Sequence, residues 1–160
     1  MSVKVSSNAN KIFNQLEKKV NDALSPKAID ALMRELAVTT AATMRERIHE
    51  EGKAANGANI GIYSEEYMKV RKKNNRTGDK KVILSLTRQM EADFTLGVNN
   101  SEPTKLPNGY GVGWKNQLNA DKAGYLELKY KKKIFTMTNK ERADAARIVD
   151  AFMQNKIGKI

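Results

Sequence analysis

The residue types that most often perform chemistry are few in this chain. Its 160 residues include no cysteine and one histidine, His49. His49 lies in a predicted long helix beside Glu50 and off the apolar stripe, so we expect a surface residue without a catalytic role. No metalloprotease, nucleophile-elbow or paired-carboxylate spacing is present. We therefore expect that the protein is not an enzyme and that it holds no metal and no cofactor.

The loop that follows the long helix carries three closely spaced glycines, Gly52, Gly57 and Gly61. No Lys-Ser or Lys-Thr pair follows them, so they form neither a phosphate-binding loop nor a dinucleotide fingerprint. Glycine and asparagine tolerate left-handed backbone and close approach between chains. The spacing therefore indicates either a solvent-exposed connector or a structured loop that makes contacts.

Positive charge is the strongest compositional signal. The chain has 29 Lys and Arg residues against 18 Asp and Glu, a net charge of +11. Dense basic clusters attract polyanions, although they also serve as solvated faces or as docking sites for acidic proteins. No zinc-finger spacing or RNA-recognition aromatic motif indicates sequence-specific reading. The residues predicted to contact a polyanion or an acidic partner are Arg71, Lys72, Lys73, Arg76, Lys131, Lys132 and Lys133.

The N-terminal half is predicted to be helical. Residues 1–24 form a first helix, which could act as an arm that contacts neighbouring subunits. Ser25 and Pro26 are typical of a helix start, and one apolar face then continues to Gly52. A second flank of this long helix is also small or apolar, which predicts packing between two neighbours. The residues predicted to form a subunit interface are Ala31, Val38 and Ala42.

The C-terminal half alternates between strand and helix patterns. We predict strands over 94–98, 110–114 and 134–137, a loop over 99–109, and a short helix or turn over 121–130. Trp114 is predicted to be a core or interface anchor. Thr138 and Glu141 have the capping-box spacing and open the last helix. These elements predict a single α+β domain over 1–160, in which a small, mainly antiparallel sheet packs with the long N-terminal helix and the C-terminal helix.

Apolar runs are too short to cross a bilayer, which takes about 20 residues. The N-terminus also lacks the apolar core of a signal peptide. We therefore expect a soluble, unprocessed protein with no membrane contact.

Five segments occur in the order found in phage tail-completion and head–tail joining proteins. They are RIHEEGKAANGANIGIYSEEYMKVRKK, VILSLTRQMEADFTLGV, GYGVGW, DKAGYLELKY and KKKIFTMTNKER. The chain resembles this phage virion morphogenesis family over about residues 44–142. In the family pattern a glycine follows the position of Thr87, where this chain has Arg88.

The resemblance implies a structural virion protein of a tailed phage, assembled in the host cytoplasm. Such proteins form rings in the neck, between the portal and the tail, so the expected state is a homo-oligomeric ring of six or twelve subunits. Portal or adaptor proteins and tail proteins would be its partners, and DNA in the lumen would be contacted without sequence preference. Loop residues expected to contact partner proteins are Gly57, Asn59, Ile60 and Tyr63.

One alternative function comes from the charge alone. A free, cytoplasmic protein that binds nucleic acid non-specifically would carry the same basic clusters. Such a protein would bind DNA as a small species, whereas a ring subunit would assemble.

Overall fold

The computed structural model describes residues 9–76, 78–85, 88–94 and 104–158. Two helices open this part of the chain, α1 (Ala9–Ala23) and α2 (Pro26–Arg45). Ser25 caps α2, because its hydroxyl accepts a hydrogen bond from the Ala28 N–H at 3.3 Å and Pro26 occupies the first turn. The predicted helix start is therefore confirmed.

A π-helical turn, Glu46–Glu50, extends α2. It is closed by the Glu51 N–H, which donates to the Glu46 carbonyl at 2.9 Å, five residues back. This wide turn changes the direction of the side chains that follow, and His49 is buried rather than exposed. The surface position expected for His49 was wrong because it assumed a regular 3.6-residue period up to Gly52.

Four more helices follow in the described ranges: α3 (Glu65–Lys73), α4 (Gln89–Phe94), α5 (Gln117–Tyr130) and α6 (Asn139–Ile157). The capping box that opens α6 is confirmed. The Glu141 N–H donates to the Thr138 hydroxyl at 3.0 Å, and the Thr138 N–H donates to the Glu141 carboxylate at 2.6 Å. In the ranges that the structure covers, no helix is long and apolar enough to cross a membrane.

A two-stranded antiparallel sheet is formed by β1 (Thr104–Leu106) and β2 (Gly109–Gly111). Leu106 pairs with Gly109, so the hairpin loop consists of two residues only, Pro107 and Asn108. The hairpin lies against α2, where the Tyr110 hydroxyl donates to the Asp30 carboxylate at 2.9 Å. The fold is α+β, as predicted, with a small antiparallel sheet beside long helices.

Two of the predicted strands need correction. Phe94 ends α4 instead of starting a strand, and residues 95–98 lie outside the described residues. Residues 134–137 are irregular, because side chains take the hydrogen bonds that a neighbouring strand would take. The Glu127 carboxylate accepts from the Ile134 and Phe135 N–H groups at 2.8 and 3.0 Å. β2 confirms part of the strand predicted over 110–114, but its partner lies within the predicted loop.

The hydrophobic core lies where the π-helical turn, the glycine loop, α4 and the segment before α6 meet. Trp114 packs on it between two phenylalanine rings, with its ring centroid 5.1 Å from that of Phe94 and 4.7 Å from that of Phe135. Trp114 is therefore the core anchor that we predicted. The buried core residues are Met44, Ile48, Ala54, Ile60, Tyr63, Val82, Phe94 and Ile134.

Candidate functional site

Arg47, on the π-helical turn, connects three parts of the fold. Its Nε donates to the Glu141 carboxylate at 2.7 Å, and both side chains are buried. Its Nη1 donates to the carbonyls of Lys53 and Ile134, each at 3.0 Å, and its Nη2 donates to the Thr136 carbonyl at 3.1 Å. One guanidinium therefore holds the glycine loop and the irregular segment against the first turn of α6.

The glycine loop packs tightly against neighbouring backbone and side chains. Gly52 has φ +62°, and a Cβ at this position would lie 2.3 Å from the Val82 carbonyl oxygen. A Cβ on Gly61 would lie 2.8 Å from the Tyr130 ring. The loop is therefore a structured connector whose glycines permit close approach.

Of the four loop residues predicted to contact partners, two are buried. Ile60 and Tyr63 belong to the core, so the exposed loop positions that the prediction assumed were wrong, although the Tyr63 ring also lines a cleft between α3 and α5. The Tyr63 hydroxyl instead accepts from the Ile83 and Leu84 N–H groups at 3.2 and 3.1 Å. Gly57 and Asn59 are exposed, and their role as contacts stays a prediction.

The predicted basic contacts separate into different environments. Arg71 is only 3% exposed, and its guanidinium lies over the Tyr63 ring, 4.6 Å from the centroid. It was wrongly predicted as a surface contact, because its helix turns it inward. Lys132 is half-buried and donates to the Asn59 carbonyl at 2.5 Å, and Arg76 is also half-buried. The exposed members of the set are Lys72, Lys73, Lys131 and Lys133.

A polar cavity of about 350 Å³ lies between the π-helical turn, the C-terminal end of α3 and the start of α4. We call it the arginine cavity. Its charged and titratable lining residues are Arg45, His49, Glu50, Arg71, Arg76, Arg88 and Glu91. Arg45 donates to the Glu91 carboxylate through Nη2 at 2.9 Å and through Nε at 3.2 Å. The Ser85 hydroxyl donates to the other Glu91 oxygen at 2.9 Å.

Burial and neighbouring groups shift the pKa values of His49 and Glu91. Burial lowers the pKa of His49, against the opposing effect of the Glu91 carboxylate. Burial alone would raise the pKa of Glu91, but hydrogen bonds from Arg45 and Ser85 lower it below its usual value. At neutral pH the cavity therefore holds a neutral imidazole and an ionised carboxylate.

A second, more apolar cleft of about 500 Å³ lies between α3 and α5. Tyr67, Tyr125 and Tyr130 line it together with Leu126, and lysines from α5 line it as well. Its charged lining residues are Arg88, Lys122 and Lys129. We call it the tyrosine cleft.

Several helices expose apolar side chains away from the core, among them α1, with Phe13 68% exposed, and helices α2 and α5. On α2 the flank of Ala31, Val38 and Ala42 is exposed, while the opposite face is buried. On α5 Leu118, Tyr125 and Leu128 are 66%, 64% and 78% exposed. Both helices therefore have a second apolar face outside the core.

Sequence reasoning identified Tyr125, Leu126 and Leu128 as residues that α5 presents but did not separate its exposed face from its core face, and it missed the arginine cavity. The period of α5 could have revealed its exposed face, because Leu118 and Tyr125 are seven residues apart and Ala123, Leu126 and Tyr130 fall on the other side. The arginine cavity gave no such signal, since it forms from residues 45–91 only after the π-helical turn places His49 inside.

No protein-family model, curated protein or solved structure matches the chain. Among the described residues, no group of histidine, aspartate and glutamate side chains could hold a metal ion.

Proposed function

We propose that the protein is a structural virion component of a tailed phage, a subunit of a head–tail connector ring that joins portal and tail around the DNA channel. The observation that carries the proposal is the second apolar face on α2 and α5. Exposed apolar faces of this kind mark surfaces that other proteins cover. A helix that is apolar on two sides suits a subunit that packs between its own core and a neighbour.

The resemblance to the phage family also supports the proposal, and the matching residues have a structural role in this fold. Arg47 and Glu141 stand near the two ends of the matching stretch, and they form one buried ion pair. Gly52, Gly61 and Tyr63 within it make close backbone approaches or hydrogen bonds. The matching residues therefore belong to one connected framework.

The exposed lysines suit either of two contacts in a neck ring. A lumen lining would meet DNA phosphates without sequence preference, whereas a docking patch would meet acidic loops of an adjacent ring. Charge reversal of Lys72 and Lys73 in an assembling virion separates them. Loss of portal or tail attachment indicates docking, and retained attachment with failed DNA retention or ejection indicates the lumen.

Val38→Glu tests the proposed assembly. A charge without a partner is costly to bury at an interface, so this variant should stay folded but fail to assemble. Ala146→Glu is the matched control, because Ala146 is an exposed helical position on α6. Light scattering after size exclusion, with and without partner proteins, measures the mass against the 17.9 kDa chain.

Normal assembly of Val38→Glu would show that this flank faces solvent. The net charge of +11 favours the alternative, a free nucleic-acid-binding protein. That protein would stay a small species and bind DNA with an affinity that falls with salt, with a log–log slope of about −0.9 per phosphate contact.

A further inference from the structure

The arginine cavity has more positive than negative charge in its lining. Four guanidinium groups stand against the carboxylates of Glu50 and Glu91, and the Glu91 carboxylate is already held by Arg45 and Ser85. Arg88 Nε forms only a long ion pair with Glu91, at 4.0 Å, and the Arg88 side chain is 62% exposed. The lining therefore carries two more positive than negative side chains, and Arg71 and Arg88 are the cationic groups with the clearest capacity to bind a ligand.

Two buried groups in this lining have unused hydrogen-bonding capacity. His49 is 3% exposed, and neither of its ring nitrogens has a hydrogen-bond partner among the described residues. The backbone of Ile83 and Leu84 lies near the ring, but not in normal hydrogen-bond geometry. Arg71 Nε is also buried without a partner in the described ranges. Because buried polar atoms are costly to leave unpaired, such groups indicate that something else fills the cavity.

The backbone at Arg88 is unusual in the same place. Its φ is +59°, a left-handed conformation that glycine adopts without cost and that other residues rarely adopt. Its long cationic side chain reaches the cavity lining from this position.

We propose that the arginine cavity is a binding site for a phosphate group. Guanidinium groups bind oxyanions through paired N–H donors, and a phosphate has more acceptor oxygens than a carboxylate. Several arginines that converge with an imidazole therefore suit phosphate better. A cavity of about 350 Å³ accommodates a phosphate with part of the group that carries it.

Binding of a phosphate should also change the protonation of His49. The charged groups that line the cavity with the imidazole are Arg45 and Glu50 from the same helical segment, Arg71 in α3 and Arg76 just after it, and Glu91 in α4 and Arg88 just before it. Burial keeps the imidazole neutral in the empty cavity. An added anion favours the charged imidazolium, so phosphate should raise the pKa of His49.

Proton NMR of the untagged protein tests the site directly, because the chain has one histidine and so one imidazole Hε1 signal, called the His49 signal below. Inorganic phosphate is titrated at several pH values, with sodium chloride at the same ionic strength as the reference. Phosphate should shift the His49 signal saturably and raise its pKa, and chloride should not. Equal responses to phosphate and chloride would overturn the proposal.

Arg88→Gln should weaken phosphate binding at least about tenfold, the effect of one charged hydrogen bond. Arg142→Gln is the matched control, since it removes the same charge from an exposed position on α6. Arg88→Gly should lose binding equally while it keeps the fold, because glycine suits the left-handed backbone. Equal affinity in Arg88→Gln and Arg142→Gln would show that phosphate binds only to surface cations.

A second titration distinguishes the phosphates of a nucleic-acid backbone from free phosphate or a phosphate monoester as the ligand. A short DNA duplex that shifts the His49 signal as phosphate does assigns the site to nucleic-acid backbone. A duplex that leaves the signal unchanged, when phosphate shifts it, assigns the site to free phosphate or a phosphate monoester. This inference does not depend on the connector role, because the titration reads one chain whether or not it assembles.

Discussion

Replacing Arg47 with methionine would remove the guanidinium that joins the glycine loop, the irregular segment and α6. Methionine keeps a long apolar stem but donates no hydrogen bonds. The change leaves the Glu141 carboxylate buried without its cation, and it leaves the carbonyls of Lys53, Ile134 and Thr136 without a donor.

The magnitude follows from the burial of the pair. Arg47 and Glu141 side chains are 9% and 7% exposed, so solvent screening is weak. Removing one partner of a buried ion pair costs about 3–5 kcal/mol. The Lys53 carbonyl adds little beyond this, because Lys53 lines a cleft through which water can reach it. Ile134 and Thr136 do not line that cleft, so their carbonyls can only add to the loss. The expected loss in the free energy of unfolding is therefore at least about 3 kcal/mol.

Urea unfolding followed by fluorescence measures this loss, because the single tryptophan, Trp114, packs in the core. Arg47→Lys should fall between wild type and Arg47→Met, since an ammonium carries the charge but cannot reach four acceptors at once. Arg47→Met with Glu141→Leu should regain part of the stability, because no buried charge is then left unpaired.

Arg142→Met is the control for the loss of an arginine from an exposed position. A cost of less than about 1 kcal/mol for Arg47→Met, in the range of a typical surface or mild substitution, would refute the reasoning. So would a double variant whose loss of stability equals or exceeds the sum of the two single losses, because the two partners would then show no favourable coupling.

Three further outcomes follow from the structure. Thr138→Ala should lower the free energy of unfolding by about 0.5–2 kcal/mol, because it removes the helix cap. Assembly at low temperature should survive this change. Loss of assembly with an unchanged melting temperature would instead make Thr138 a contact residue. Gly61→Ala should lower the free energy of unfolding by about 1–3 kcal/mol, because the added methyl would meet the Tyr130 ring. Gly124→Ala, in open space on α5, should instead raise it by up to about 1 kcal/mol. Equal effects of the two changes would contradict the packing at Gly61. In phosphate-free buffer, the free energy of unfolding should fall as the pH drops below about 6.5, because the unfolded chain then binds a proton that buried His49 resists. His49→Asn should flatten this pH dependence. A slope that persists in His49→Asn would assign the pH dependence to another group.

Elements with local signals could be predicted well from the sequence. The cap of α2 at Ser25 and the capping box of α6 each depend on residues within one turn. The hairpin was only half predicted. Its turn, Pro107-Asn108 before Gly109, is a strong local signal that could have paired β2 with the residues just before it.

Non-local hydrogen bonds account for the failures. Residues 134–137 have the composition of a strand, but Glu127 and Arg47 take their backbone groups. Apolar periodicity also treats every arginine, histidine and tyrosine as a surface residue. Arg71 and His49 are buried because partners distant in sequence, or a π-helical turn, place them inside. No window of sequence contains that information.

The distinction between residues engaged inside the fold and residues exposed on its surface also indicates where the proposed partners would bind. Residues that carry the resemblance, such as Arg47, Gly52 and Tyr63, have their side chains or backbone engaged inside the fold. A substitution at these positions acts through stability and would impair any function equally. Contacts to the proposed partners would instead come from exposed groups, such as the apolar side chains of α2 and α5 and the lysines Lys72, Lys73 and Lys131. A mutational study of assembly that starts from the matching motifs would therefore measure folding, and one that starts from Val38, Tyr125 and Lys72 would measure recognition.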